Sequence, residues 1–315
     1  MATNIVALGL LPVLVLLSFA HTYKGVDFEK EFFSKRQTQT LKGIMIFVVF
    51  FHHFGLMNEH TEQMMKIYMP AQFSLAIFIM LLGYTTAFGH SKSEKIDFKK
   101  LWINRAWRLY LPVVIFSITF NNFLGATLFF FVLTDIVYTF IKTDRNRLIA
   151  IFVGNMLFPL FLKLIGMREW WYDDIFTYFI GVALFMYKKP IIDFFRGKIY
   201  WAILGLYVLL AVPFAVYTIK NWPFDLSTIV HSTVLSILIL LLMFRLNIKS
   251  KIFYFVGQYT WEIFIFHQTF IGLAKMIFGR NILILSFSML LTIITSVAVQ
   301  NGVKMLRNKT NAREK

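Results

Sequence analysis

Residues 41–57 read LKGIMIFVVFFHHFGLM: Lys42 and Gly43, then eight uninterrupted apolar residues and two adjacent histidines. A helix needs about 20 mostly apolar residues to cross the ~30 Å hydrocarbon core of a bilayer, and this stretch is read as such a crossing. Working outward from it, further apolar runs lie at 4–20, 70–88, 109–122, 123–141, 147–165, 172–187, 199–219, 227–247, 253–275 and 280–306. With 41–57 these make eleven. The pair that meets at Asn121, Asn122 and Gly125 is short on both sides, which leaves one long span or a broken helix as other readings.

Composition agrees with a bundle buried in lipid. Of 315 residues, 58% are hydrophobic and 15% charged, against about 45–50% and 25% in a soluble domain. Phe occurs 37 times, more than one globular core could bury. The absence of Cys excludes disulfides, thiol nucleophiles and thiolate metal sites. A net charge of +16 ordinarily points to nucleic acid or an anionic surface. Here the charges sit in short connectors between apolar runs, so the partner they indicate is the lipid bilayer and not nucleic acid.

Cytoplasmic loops are enriched in Lys and Arg. Eleven spans with the N-terminus outside place 22–42, 89–108, 142–147, 188–198, 245–251 and the C-terminal tail in the cytoplasm, and these, with Lys304 at the cytoplasmic end of the last run, hold 26 of the 32 basic residues. Only Lys66, Lys163, Arg168, Lys220, Lys275 and Arg280 fall elsewhere. Merging the uncertain pair would send Lys188, Lys189, Arg196 and Lys198 outside. The expected fold is therefore an all-α polytopic membrane protein of about eleven transmembrane helices in the plasma (inner) membrane, with a cytoplasmic C-terminus. The first run lacks a basic leading region and a small-x-small cleavage site, so it is read as an uncleaved helix. The expected division is an N-terminal helix and loop over 1–40, a transmembrane domain over 41–306 and a basic tail over 307–315. Repeats, low-complexity tracts and an appended soluble domain are not apparent.

Ionisable residues inside a membrane are costly and usually face a cavity or a partner. Lys42 and His53 are eleven residues apart, about 20° from three full helical turns, so they share one face and are separated by about 16 Å. This places Lys42 at the cytoplasmic mouth and His53 at mid-bilayer, with His52 some 100° away. A purely structural role for the histidine competes on even terms. Metal binding is not expected, because His52 and His53 diverge and no second His stands at a turn's spacing. Arg105 and Arg108, three apart and hence helix neighbours, offer the forked donors suited to phosphate. Anchoring at lipid headgroups explains them equally well.

Together these residues resemble a known family. The Lys42-x10-His53 signature is similar to the Arg/Lys-x10-His motif of the membrane acyltransferase-3 family. The segment GYTTAFG at 83–89, followed by Arg105-x-x-Arg108-x-x-x-Pro112, resembles that family's next elements. The run Gly257-Gln-Tyr-Thr-Trp-Glu262-Ile-Phe-Ile-Phe-His267 is similar to its closing G-x-Y-S/T-x-x-I-Y-L-x-H pattern. The resemblance covers about 41–300 and implies a ten-helix core, here with one added N-terminal helix. Lys42 stands where Arg is commoner, keeping the charge but losing the fork. A fused SGNH-type hydrolase domain, present in some relatives, is lacking.

What the resemblance implies is an O-acyltransferase that moves an acyl group, usually acetyl, from cytoplasmic acyl-CoA to a hydroxyl of a polysaccharide or glycolipid at the cell surface. Acetyl-CoA would then be the donor, with Arg105, Arg108 and Lys42 meeting its phosphates and with His53 and Lys42 as the catalytic residues, His53 acting as general base. An acyl-imidazole intermediate is the alternative route. Glu262 and His267 are weaker candidates for substrate contact, since five residues put them about 140° apart on one helix. Asp135 and Glu262 could each pair with a Lys or Arg of another span. Trp170 and Trp171, beside Tyr172, Asp173 and Asp174, read first as an interfacial aromatic belt and second as a platform for an acceptor sugar. His231 reads as structural. The rival function is a transporter or flippase for lipid-linked sugars, which would not need the Arg pair beside a same-face Lys and His. A structural subunit of a polysaccharide synthase has no positive sign.

Overall fold

The computed structural model describes residues 20–22, 32–57, 61–92, 97–111, 122–167, 172, 174–278 and 283–313. The expected first span and most of the run 109–122 lie outside these, as do Trp170, Trp171, Asp173 and the side chain of Arg108.

The chain enters the described bundle at the pair Phe32 and Phe33, both buried, with Phe33 in the left-handed region at φ 53. Ser34 then starts helix α1, Lys35–Met57. Its hydroxyl accepts from the Gln37 backbone at 3.2 Å, while Gln37 Oε1 accepts from the Phe33 backbone at 2.6 Å. This is a variant of the reciprocal cap that Ser-x-x-Gln builds, and it sets the helix start seven residues before Lys42. Beyond α1 come α2 (Thr61–Ser91), α3 (Phe98–Arg105) with a π-helical turn over Ala106–Tyr110, α4 (Asn122–Phe140) and α5 (Asp144–Leu164). Next are α6 (Thr177–Met186), α7 (Lys188–Phe195), α8 (Ile199–Asn221) and α9 (Phe224–Met243). The chain closes with α10 (Lys251–Gly257), α11 (Thr260–Phe278) and α12 (Leu283–Arg313).

These helices lie on nine of the eleven expected runs. Among the described residues, five helical segments are long and apolar enough to cross a membrane: Phe73–Ser91, Asp144–Leu164, Ile199–Thr218, Leu226–Met243 and Ser286–Asn308. Two expectations need correcting. The run 172–187 forms a helix of only ten residues, α6, preceded by turns. The run 253–275 is broken at Gln258 and Tyr259 into α10 and α11.

The break has a packing cause. A Cβ on Gly43 would overlap the Phe253 carbonyl, and one on Gly257 would overlap the Gln39 carbonyl. Glycines let helix backbones approach in this way. The order of these contacts carries α10 back along α1, after which α11 turns and brings His267 up to His53. A second glycine pair joins α2 to α6: Gly181 meets the Met80 carbonyl and Gly83 the Tyr178 carbonyl. Thr177 donates to the Ala76 carbonyl at 2.7 Å, and Tyr84 packs on Phe185 further along, so α2 and α6 run parallel.

Helix α4 also runs with α2. Phe130 stacks on Tyr178, and further along both helices Asp135 and Tyr138 meet His90. The end of α2 and the start of α4 therefore lie at opposite ends of the bundle.

The loops expected on one side gather at one end. Strand β1 (Ala20–Thr22) pairs antiparallel with β2 (Leu246–Ile248). Lys188 Nζ donates to the Phe32 carbonyl at 2.8 Å, and Arg245 donates to the carbonyls of Phe195, Arg196 and Gly197. Phe33 meets Tyr84 near the end of α2, and His90 leads through Tyr138 to Arg147. Partial burial lowers the pKa of Lys188 from its ordinary value, by desolvation. Exposed Leu, Ile, Phe and Trp side chains of α5 and α8, such as Leu157, Leu164, Trp201 and Leu209, face outward as a lipid-contacting surface would.

Candidate functional site

Lys42 is half-buried on α1, and the helix is continuous from there to His53, so the eleven-residue register holds. His53 lies four residues before Met57, the last described residue of α1, or about 6 Å along the axis.

Three histidines meet here. The His53 ring is 4.8 Å from that of His267 and 5.1 Å from that of His52, centroid to centroid. The Gln268 amide nitrogen lies 3.2 Å from Nδ1 and 3.4 Å from Nε2 of His53, astride both nitrogens. His52 is buried and His53 half-buried. His267 is 1% exposed, and its Nδ1 sits 2.8 Å from the Phe264 carbonyl and 3.2 Å from that of Ile263. A carbonyl oxygen only accepts, so Nδ1 of His267 carries the hydrogen and Nε2 the lone pair. That Nε2 is buried without a hydrogen-bond partner among the described residues. Among the described residues, no group of three or more His, Asp or Glu side chains is arranged to hold a metal ion.

Glu262 is placed against α12. It is buried at the start of α11, where Gln300 of α12 donates to its Oε1 at 3.4 Å and to the Gln258 carbonyl at 3.0 Å. Lys304 in turn donates to Gln300 Oε1 at 2.8 Å.

Arg105 is placed differently from an open phosphate ligand. It is buried, and it donates to both oxygens of Asp135, at 2.6 and 3.1 Å. His90 Nε2 is 2.9 Å from the same carboxylate, and the Arg105 guanidinium lies 4.0 Å from the Phe131 ring centre. Asp135 therefore pairs with a cation of another helix, one of the two readings its sequence position allowed. A bidentate, fully partnered carboxylate of this kind joins α2, α3 and α4. The sequence held no signal for His90, since its distance from Asp135 is set by tertiary packing alone. Immediately after Arg105 the backbone widens into the π-helical turn that carries Arg108, a distortion frequent at functional sites. Trp261 of α11 donates to the Leu109 carbonyl of this turn at 3.0 Å, tying the Arg105–Arg108 element to the helix of His267. His231 is half-buried on α9, and its Nδ1 has no partner among the described residues.

Comparison with known proteins bears on the same elements. Residues 39–123 match the family model of an acyltransferase domain of the acyltransferase-3 type. No curated protein and no solved structure matches the chain. The matched stretch contains Lys42, His53, the GYTTAFG segment, Arg105, Arg108 and Pro112, while the closing run at 257–267 lies beyond it. Residues 39–123 of this multi-pass helical membrane protein are thus similar to an acyltransferase domain of the acyltransferase-3 type.

Proposed function

We propose that the protein is a membrane-embedded O-acyltransferase that moves an acetyl group from cytoplasmic acetyl-CoA to a hydroxyl of a cell-surface or lipid-linked polysaccharide. The observation that carries this reading is the placement of His53. It lies on the Lys42 face of α1, about 16 Å further along, with a second imidazole beside it.

In this reading the end that gathers the basic loops faces the cytoplasm, as the positive-inside rule requires. Acyl-CoA enters there, its phosphates meeting Lys42 and Arg108. Arg105, committed to Asp135, fixes the turn that bears Arg108. The pantetheine arm lies along α1, which brings the thioester to His53. The imidazole takes the proton of the acceptor hydroxyl as its oxygen attacks the thioester carbonyl. The carbon–sulfur bond then breaks and the CoA thiolate recovers a proton. Glu262 belongs to the α11–α12 contact, and Trp170 and Trp171 remain candidates for the acceptor sugar.

The test is mass spectrometry of surface glycans from cells carrying the wild-type chain or the His53→Ala variant. The expected result is an acyl mass increment present only with the wild type. Glycans of equal mass in both, with the variant present in the membrane, would refute the reading.

A further inference from the structure

The tautomer of His267 is fixed by its own helix. Its Nδ1–H is held by the carbonyls of Phe264 and Ile263, which leaves Nε2 as a buried acceptor with no partner among the described residues. A buried acceptor left unmatched is costly, and polar groups of this kind recur where a structure keeps a position open for chemistry. The ring beside it is that of His53, at 4.8 Å and an interplanar angle of 53°. Two imidazoles joined by one N–H···N bond have centroids about 5 Å apart, so a small ring rotation forms that bond without moving either helix. The Gln268 amide, astride both His53 nitrogens, is committed to neither.

We propose that His267 is the positioning residue of a two-histidine dyad, its Nε2 receiving the second ring hydrogen of His53 when His53 takes the acceptor's proton. The inference rests on the acyltransferase reading of His53 given above. A neutral imidazole has one N–H and one lone pair, and protonation turns both nitrogens into donors. As the acceptor O–H bond breaks and the new O–acyl bond forms, the proton passes to one nitrogen of His53. The hydrogen on its other nitrogen is then accepted by His267 Nε2. The carbon–sulfur electron pair leaves with the thiolate, which regains the proton from the dyad as CoA–SH. The carbonyls of Phe264 and Ile263 hold the far side of His267 throughout, so the ring needs no reorganisation.

Two variants separate this role from packing. In His267→Asn the amide nitrogen can replace the Nδ1 donor to the helix carbonyls, but nothing replaces Nε2. His53→Ala removes the base itself. The first readout is thiol release from acetyl-CoA by membranes carrying each full-length chain. The chain has no Cys to contribute a background thiol. For His267→Asn, the expected result is a turnover loss of about 10²-fold with KM for acetyl-CoA within twofold of wild type. Full activity of His267→Asn with an inactive His53→Ala overturns the dyad and leaves the proposed function standing. Full activity of both overturns the proposed function and the dyad with it.

The second readout does not depend on turnover: imidazole ¹⁵N spectra of the intact protein in lipid nanodiscs, with His267 assigned by its loss in His267→Asn. The expected signal is an Nδ1-protonated ring whose bare Nε2 resonance moves in His53→Asn. An Nε2-protonated His267, or an Nε2 resonance indifferent to His53, overturns the inference even where acetyl-CoA is not the donor.

Discussion

His53 and His267 face each other at a centroid distance of 4.8 Å, although one belongs to the motif near the start of the chain and the other to the run that closes it. The two helices reach this point from a shared origin, where Gly43 of α1 and Gly257 of α10, the short helix that leads into α11, each admit the other's backbone. The glycines set how closely α10 packs on α1, and so where α11 begins.

Filling that origin should separate the helices. In Gly43→Leu the new side chain must displace the Phe253 backbone, which relaxes far less readily than a flexible side chain. Overpacking costs about 1–3 kcal/mol, and a lower melting temperature of the purified protein in detergent checks it. An unchanged melting temperature would show that the close approach is dispensable.

The buried Asp135 carboxylate makes a second prediction. Asp135→Ala leaves Arg105 without its bidentate partner in the interior, and breaking a buried pair from one side costs about 3–5 kcal/mol. Replacing both residues, Arg105→Leu with Asp135→Leu, should recover most of that loss. Unfolding measurements on the single and double variants check the sign of the coupling, and additive losses would contradict it.

Sidedness can be read directly, because the chain contains no Cys. Cys placed at exposed Lys189, Lys249 or Arg145 should resist a membrane-impermeant maleimide in intact cells. Cys at exposed Met167 or Lys220 should react. The opposite pattern would invert the assignment of the basic end to the cytoplasm.

Lys42 tests the donor path. Lys42→Ala should raise KM for acetyl-CoA by about tenfold or more, the loss expected for one charged hydrogen bond, whereas Lys42→Arg should stay close to wild type. Equal KM values in steady-state kinetics for Lys42→Ala and wild type would remove Lys42 from the donor site.

Much of the architecture was legible in the sequence because lipid imposes its own pattern. The apolar runs and the basic loops that gather by the Lys188–Phe32 and β1–β2 contacts follow from one constraint, that charge stays out of hydrocarbon. The register of Lys42 and His53 was legible because helical geometry alone sets it. What escaped depends on contacts between distant segments. The break after Gly257 is set by the backbone of Gln39, and the partners of Arg105 come from α2 and α4. Glu262 and His267, on one helix but 140° apart, were weighed together, yet packing sets His267 beside His53 and Glu262 beside Gln300 of α12.

The most direct measurement is thiol release from acetyl-CoA by membranes carrying the wild-type chain or His53→Ala at equal membrane abundance. With His53 as the base, the wild type should release thiol steadily and the variant should lose about 10²-fold or more of that rate. Equal release by both would contradict that role.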